Sequence, residues 1–165
     1  MGEGNSPKNI ALLTAELSEA YQAALWKGLR EEAEKHQLRL VCFLCSRIDS
    51  PITHEAAANR VLELANSENF DGLIIVASAI STYLDREHIQ QLFDDHPAIA
   101  KVSVGVPVYG ASSVTVDSRR AVVGVTEHVL HRHGRRNPAI VAGPKWHVES
   151  QQRRQAIVST LQENG

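Results

Sequence analysis

The stretch VTVDSRRAVVGVTEHVLHRHG, residues 114–134, decides the fold. Its β-branched start predicts a short strand that ends at Asp117. Valines then recur at helical spacing from Ser118 to His133, and Gly134 ends the helix. A strand that leads directly into an amphipathic helix is the repeating unit of parallel α/β proteins. This segment therefore predicts an α/β protein.

The rest of the chain alternates between the same two kinds of element. Strands are predicted at residues 9–14, 38–45, 72–77, 100–104, 113–117 and 138–142. Helices are predicted at residues 18–36, 53–66, 85–95, 118–133 and 148–163. The third strand is apolar throughout, which is typical of a parallel strand buried on both faces. We therefore expect a parallel sheet with helices on both faces and right-handed crossovers.

The composition argues against several classes of function. The 165 residues suffice for one ordinary domain or two very small lobes. A net charge of −2, without a basic stripe, argues against a nucleic-acid or membrane surface. The longest apolar runs are too short to span a bilayer, and the N-terminus lacks the apolar core of a signal peptide. We therefore expect a cytoplasmic protein.

The two cysteines, Cys42 and Cys45, have the C-x-x-C spacing of a redox or metal pair. Their surroundings, LRLVCFL, instead predict a buried strand, in which positions three apart point to opposite faces. A redox pair would also need a helix N-terminus to lower the thiol pKa. We therefore interpret both cysteines as structural.

Ligands of open α/β sheets bind beyond the carboxyl ends of the strands, and this rule selects candidate binding residues. In the first 112 residues it selects Glu16, Ser18, Glu19, Tyr21, Gln22, Ser46, Arg47, Ser78, Ser81, Pro107 and Tyr109. The Tyr21 ring could stack on a ligand or pack in the core. The Glu16 carboxylate would suit a hydroxyl-rich or cationic ligand, and could equally be a solvated loop charge. Ser18 is predicted first of all to be the N-cap of the helix that follows it.

Further along the chain the candidates are Asp117, Trp146, His147 and Arg153. The Asp117 carboxylate is favoured as the N-cap of the next helix, with ligand contact as the alternative. The Arg153 guanidinium offers a rigid fork for a carboxylate or for vicinal hydroxyls. Without such a ligand, Arg153 would be a solvated helix charge.

No catalytic residue, metal ligand or cofactor is predicted. The sequence contains no phosphate-binding loop, no G-x-G-x-x-G after a strand and no G-x-S-x-G elbow. His128 and His131 share a helix face, but no nearby carboxylate or cysteine completes a metal set with them or with His133. We interpret the three histidines as a solvated helix face.

Four segments resemble the effector-binding domain of the lac repressor and galactose repressor family, in the family's order. They are IALLTAELSEAYQAALWKGLREEAEKH (10–36), ENFDGLIIVAS (68–78), VTVDSRRAVVGVTEHVLHRHGRR (114–136) and IVAGPKWHVESQQRRQAIVSTL (140–161). The last two resemble the family patterns VxxDNxxGAxxAxxHLxxxGHRR and IxGPxxxxxxxxRxxGFxxAL. Arg153 matches the arginine of the second pattern, which in the family binds ligand.

The resemblance implies a periplasmic-binding-protein-like fold of type I, with Rossmann-like lobes. Residues 8–112 would form the N-terminal lobe, and residues 113–165 would form the crossover and part of the C-terminal lobe. Complete domains of the family are longer, so we expect an incomplete second lobe. Ser118, Arg135 and Ala156 depart from the patterns, and such departures resemble a divergent branch that serves as the sensor domain of signalling proteins.

The function implied is that of a sensor. It would bind a small polar, sugar-like effector between two lobes and transmit their closure through a homodimer to an attached output or DNA-binding domain. No helix-turn-helix precedes residue 9, so we expect no DNA contact by this chain itself. Two alternatives remain open: a ligand-free dimerisation module of the same fold, and a Rossmann-like enzyme, which would need a buried titratable pair.

Overall fold

The computed structural model describes residues 6–96 and 98–164. The chain divides into two compact units, residues 1–114 and 115–165. The first unit holds the strands β1 (Asn9–Thr14), β2 (Arg39–Leu44), β3 (Gly72–Ile75), β4 (Ala100–Val104) and β5 (Ser112–Val114). Its helices are α1 (Ala20–Lys35), α2 (Thr53–Ala58) with a 3-10 extension (Asn59–Leu64), α3 (Ala77–Ile80) and α4 (Arg86–Asp94). The described part of the second unit contains α5 (Ser118–Glu127), a π-helical turn (His128–Arg132) and α6 (Val148–Asn164).

The five strands form one sheet in the order β2-β1-β3-β4-β5, and all neighbouring strands are parallel. Side chains alternate between the two faces along each strand. Leu13 therefore joins a core cluster with Phe93 of α4, whereas Leu12 joins a second cluster with Leu25 of α1. Helices pack on both faces, as the alternating sequence pattern predicts, and the first unit is a Rossmann-like lobe.

The connection between the parallel strands β4 and β5 contains no helix. Parallel strands usually need a crossover of about a dozen residues or more, but β5 is short and residues 105–111 suffice. Gly105 and Gly110 have positive φ angles of 92° and 73°, which glycine adopts easily. The Gln90 side chain holds the loop by pairing with the Tyr109 backbone, at 2.9 Å to the N–H and 3.1 Å to the carbonyl.

Helices α5 and α6 form the core of the second unit. Thr126, Leu130, Ala156 and Thr160 are buried, and both threonine hydroxyls donate to carbonyls of their own helix. Gly134, with φ of 61°, ends the first helical segment, and the Arg135 N–H donates to the Val129 carbonyl at 3.2 Å. This glycine-based helix end is the one that the sequence predicts.

The strand predicted at residues 138–142 is wrong. These residues have no regular secondary structure, and the Val141 side chain is fully exposed. A strand is stabilised by pairing with a neighbour, and no strand occurs among residues 115–164, the described part of the second unit. The apolar pattern of these residues contains no information about whether a partner strand is present.

Two local predictions in the first unit are also wrong. Ser18 does not cap α1, because Glu19 takes the N-cap position and makes no side-chain hydrogen bond there. The third strand was predicted to extend to Ala77, but β3 ends at Ile75 and the short helix α3 begins at Ala77. A continuous apolar run cannot by itself distinguish a buried strand from a short buried helix.

Candidate functional site

The strands of the first unit end at one side of the sheet, which we call the carboxyl edge. The Cys45 N–H donates to the Thr14 carbonyl, and the Val76 N–H donates to the Leu13 carbonyl, both at 2.9 Å. The segments that leave β1, β2 and β3 are therefore anchored beside one another. The structure thus places residues 15–22, Ser46 and Ser78 at the edge where sheets of this kind bind ligands.

The loop after β1 contains two of the predicted binding residues in direct contact. The Ser18 hydroxyl donates to the Glu16 carboxylate at 2.6 Å. This hydrogen bond orients the Glu16 carboxylate, which is otherwise an acceptor for hydroxyl or ammonium groups. Tyr21 is 51% exposed, so its ring is not a core residue and presents an aromatic surface at the start of α1.

Four buried side-chain oxygens have no hydrogen-bond partner among the described residues. Two of them, Glu55 Oε2 and Asn59 Oδ1, belong to side chains that contact Arg47, and the other two are Thr14 Oγ1 at the end of β1 and Gln22 Oε1 in the first turn of α1. Thr14 is 1% exposed and Gln22 is 8% exposed. Buried polar atoms are almost always paired, so these two atoms indicate a place where water or a ligand supplies the missing hydrogen bonds. The strand-end rule selected Gln22 but missed Thr14. A polar residue that ends the apolar run IALLT is the signal that would have found it.

Ser46 and Ser78 are half-buried at the same edge, each just after its strand. Ser78 lies against Gly105, where a Cβ atom would overlap the serine side chain. The Ser81 hydroxyl, by contrast, donates to the Ala77 carbonyl at 2.5 Å and is buried. Ser46 and Ser78 therefore remain candidates, whereas Ser81 closes α3.

The Arg47 side chain is already paired. Its Nη1 lies 3.2 Å from Glu55 Oε1, and its carbonyl accepts a hydrogen bond from the Asn59 amide at 3.0 Å. These contacts tie the loop after β2 to α2 and its 3-10 extension. We therefore assign Arg47 the role of positioning the loop after β2 rather than that of contacting a ligand.

The remaining predicted residues of the first unit are more exposed. Glu19 takes the N-cap position of α1, and Pro107 lies exposed in the loop that Gln90 holds. The Tyr109 side chain is 89% exposed, so its backbone, and not its ring, is fixed by the fold. Pro107 and Tyr109 nevertheless line a cavity of about 730 Å³ together with residues of α4.

The predicted residues of the second unit lie near the N-termini of its two long helices. Asp117 Oδ1 accepts a hydrogen bond from the Arg119 N–H at 3.1 Å, which confirms the capping role. Arg153 and His147 line a cavity of about 400 Å³, and the ion pair of Arg153 with Glu149 is long, at 3.9 Å. Trp146 is half-exposed and directly precedes His147 in the sequence. The cavity offers cationic and imidazole donors to a polar ligand.

The two thiols do not form a reactive pair. Cys42 belongs to the cluster under α1, and Cys45 belongs to the cluster on the opposite face. Burial raises the pKa of both thiols, and that of Cys45 to about 12. A thiol with so high a pKa is protonated and a poor nucleophile at neutral pH, so the structural interpretation of the C-x-x-C spacing is confirmed.

Neither a metal-binding cluster nor a membrane-spanning helix occurs in the described ranges. Within residues 6–96 and 98–164 no three side chains of histidine, cysteine, aspartate or glutamate gather as a metal-binding group. None of the helices in these ranges has the length and apolar character needed to cross a membrane.

These features define an α/β lobe with polar residues at its strand ends, followed in the chain by a second, helical unit. The family model for periplasmic binding proteins and the sugar-binding domain of the LacI family matches residues 7–165. The chain belongs to this family, as the sequence motifs indicated. No curated protein matches the sequence.

Solved structures show the same fold. A LacI family transcriptional regulator from Mycobacterium smegmatis is 22% identical, with a TM-score of 0.71 over 93% of this chain and 51% of that one. A periplasmic binding protein/LacI transcriptional regulator from Alkaliphilus metalliredigens QYMF, complexed with D-xylulofuranose, is 15% identical, with a TM-score of 0.67 over 94% and 53%. The lac repressor dimer bound to operator and an anti-inducer is 19% identical, with a TM-score of 0.70 over 98% and 53%. The chain thus spans about half the length of these proteins.

Proposed function

We propose that this chain is the effector-binding part of a sugar-sensing regulator. The observation that carries the proposal is the pair of buried, unpartnered oxygens, Thr14 Oγ1 and Gln22 Oε1, at the carboxyl edge. Hydroxyl groups of a sugar can both donate and accept hydrogen bonds, so they could satisfy both atoms. The exposed ring of Tyr21, the residue before Gln22 on α1, would contact the apolar face of a sugar ring.

Family membership supports the same ligand class. The family is described as periplasmic binding proteins and LacI sugar-binding domains, and one similar structure contains D-xylulofuranose. We propose that Glu16, Ser18, Ser46 and Ser78 add polar contacts from the first unit. We propose that Arg153 and Trp146 contribute contacts from the second, with Asp117 acting mainly as a helix cap.

The signalling step is also a proposal. We assign residues 8–112 to the N-terminal lobe and residues 113–165 to the crossover and part of the second lobe. Ligand would favour the closed state only by its difference in affinity for the open and closed states. In a homodimer, closure would alter the subunit interface and so an attached DNA-binding or signalling domain. Such a regulator would act in the cytoplasm.

Calorimetric titration with D-glucose, D-galactose, D-xylose and cellobiose tests this function. We expect at least one of these sugars to bind, and Arg153→Ala to weaken its affinity about ten- to a hundredfold, because hydrogen bonds to a charged group contribute roughly 1.5–3 kcal/mol. Arg120→Ala is the matched control, since Arg120 is an exposed arginine on α5 and its loss should leave affinity unchanged.

The outcome is interpretable only with folded variants, which circular dichroism verifies. Unchanged affinity of Arg153→Ala would remove Arg153 from the site. If the folded wild-type chain binds none of the four sugars, the sugar-sensing proposal is contradicted and the ligand-free dimerisation module becomes the better account.

A further inference from the structure

Two imidazole rings meet at the end of the first helical segment of the second unit. His128 Nε2 lies 3.1 Å from His133 Nε2, and the ring centroids are 4.9 Å apart. Both residues are exposed. The sequence pattern placed His128 beside His131, but His131 points elsewhere and contacts Asn164 Oδ1 at 3.1 Å. We call His128 and His133 the histidine pair.

The π-helical turn over His128–Arg132 creates this pair. In a regular α-helix, residues five apart are rotated by about 140° around the axis and do not meet. A π turn has more residues per turn, which brings positions i and i+5 toward one side, and such turns occur frequently at functional sites. The Arg135–Val129 backbone hydrogen bond closes the segment immediately after the pair.

The geometry of the pair fits a shared metal ion. If both Nε2 atoms lie about 2.05 Å from one ion, the observed 3.1 Å between them corresponds to an angle at the ion of about 100°. The 4.9 Å between centroids corresponds to about the same angle. Without an ion, the same 3.1 Å contact is a bent N–H···N hydrogen bond between the two rings, which a bound ion would replace. The angle of 70° between the ring planes is compatible, because each ring can rotate about its own metal–nitrogen axis.

We propose that the histidine pair binds a divalent transition-metal ion, Zn²⁺, Ni²⁺ or Cu²⁺, through the two Nε2 atoms. Neutral imidazole is a preferred ligand of these ions. In the ranges that the structure describes, no third histidine, cysteine or carboxylate joins the pair, so water completes the coordination sphere. The site is therefore open, with two protein ligands. It lies within the second unit and does not depend on the sugar-sensing function.

Isothermal titration of the untagged full chain with ZnCl₂, NiCl₂ and CuCl₂ tests the site. We expect one ion per chain, with Cu²⁺ bound most tightly, as in the general affinity order of these metals. Loss of an outer-shell partner already weakens metal sites about 10–100-fold, so His128→Ala and His133→Ala should each weaken binding at least that much. His131→Ala is the matched control, since it removes an exposed histidine from the same turn and should leave affinity unchanged.

Either of two results would overturn the proposal. One is that the wild-type chain binds none of the three ions at millimolar concentration. The other is that His128→Ala and His133→Ala bind as tightly as wild type, which would place the ion on other histidines of the chain. Circular dichroism establishes that the variants are folded, and His128→Gln, which keeps a polar side chain of similar size, provides a second measurement if His128→Ala is not.

Discussion

Replacing Gly105 by alanine is expected to lower the free energy of unfolding of the first unit by about 2–5 kcal/mol. Two effects add. The residue has a φ of 92°, which side chains rarely adopt, and the new Cβ would overlap Ser78 Oγ and Cβ. The overlap involves the β-carbon of a residue in α3, which cannot rotate away, so the backbone must shift.

Gly110→Ala is the control for this prediction. Gly110 lies in the same loop with a φ of 73°, but a Cβ there would meet nothing within 4 Å. Gly110→Ala should therefore lower the free energy of unfolding only through backbone strain, by about 1 kcal/mol. Urea denaturation followed by Trp26 fluorescence, in a Trp146→Phe background, reports on the first unit alone, because the chain has two tryptophans. If Gly105→Ala and Gly110→Ala lower the free energy of unfolding equally, the predicted overlap of the new Cβ with Ser78 is contradicted.

The Gly105 prediction also concerns the candidate site. Ser78 follows β3 at the carboxyl edge, and its contact with Gly105 sets how closely the end of β4 approaches α3. A variant that forces these segments apart should displace one of the proposed ligand contacts. We therefore expect Gly105→Ala to reduce sugar affinity in addition to stability, whereas Gly110→Ala should leave affinity unchanged.

Replacing Phe93 by alanine is expected to destabilise the first unit by about 3–5 kcal/mol, the usual range for a buried aromatic residue. Phe93 is 1% exposed and packs from α4 into the cluster that contains Leu13, Leu73 and Ile75. Its removal leaves a cavity between helix and sheet that close-packed neighbours fill only partly.

Tyr109→Ala provides the comparison for Phe93→Ala under the same denaturation conditions. The Tyr109 side chain is 89% exposed, and its hydrogen bonds with Gln90 involve only backbone atoms, which alanine retains. We expect a change within about 0.5 kcal/mol. The prediction is contradicted if Phe93→Ala lowers the free energy of unfolding by less than about 1 kcal/mol. It is also contradicted if Tyr109→Ala lowers this free energy as much as Phe93→Ala does.

The sequence predicted the parts of the fold that local patterns control. Strand β1 and helix α6 follow from runs of apolar residues at strand or helix spacing, and the end of α5 and its π turn follows from Gly134. The strand expected at residues 138–142 failed because strand formation depends on a partner elsewhere in space. No local pattern contains that information.

The candidate site was predictable in location but not in detail. The strand-end rule placed Gln22, Ser46 and Ser78 at the carboxyl edge, where the structure has them, because this rule depends only on strand direction. It could not distinguish Ser81, whose hydroxyl bonds to its own helix, from Ser78. It also missed Thr14, whose importance lies in an unpartnered buried hydroxyl, a property that only three-dimensional packing reveals.

The histidines show the same limit. Helical periodicity pairs residues three or four apart, so the sequence favoured His128 with His131. The π turn pairs His128 with His133 instead. A single irregular turn therefore changes which side chains lie close together, and sequence spacing alone does not predict such a turn.

The central claim is that the carboxyl edge of the first unit binds sugar, and amide chemical-shift mapping tests it most directly. The ¹⁵N-labelled chain is titrated with D-glucose, D-galactose, D-xylose and cellobiose at millimolar concentrations. We predict that the binding sugar shifts amides of residues 14–22, Ser46 and Ser78. No shifts with any sugar, or shifts confined to the opposite edge at Ile10, Leu40, Gly72 and Ala100, where a separate apolar cavity lies, would contradict the claim.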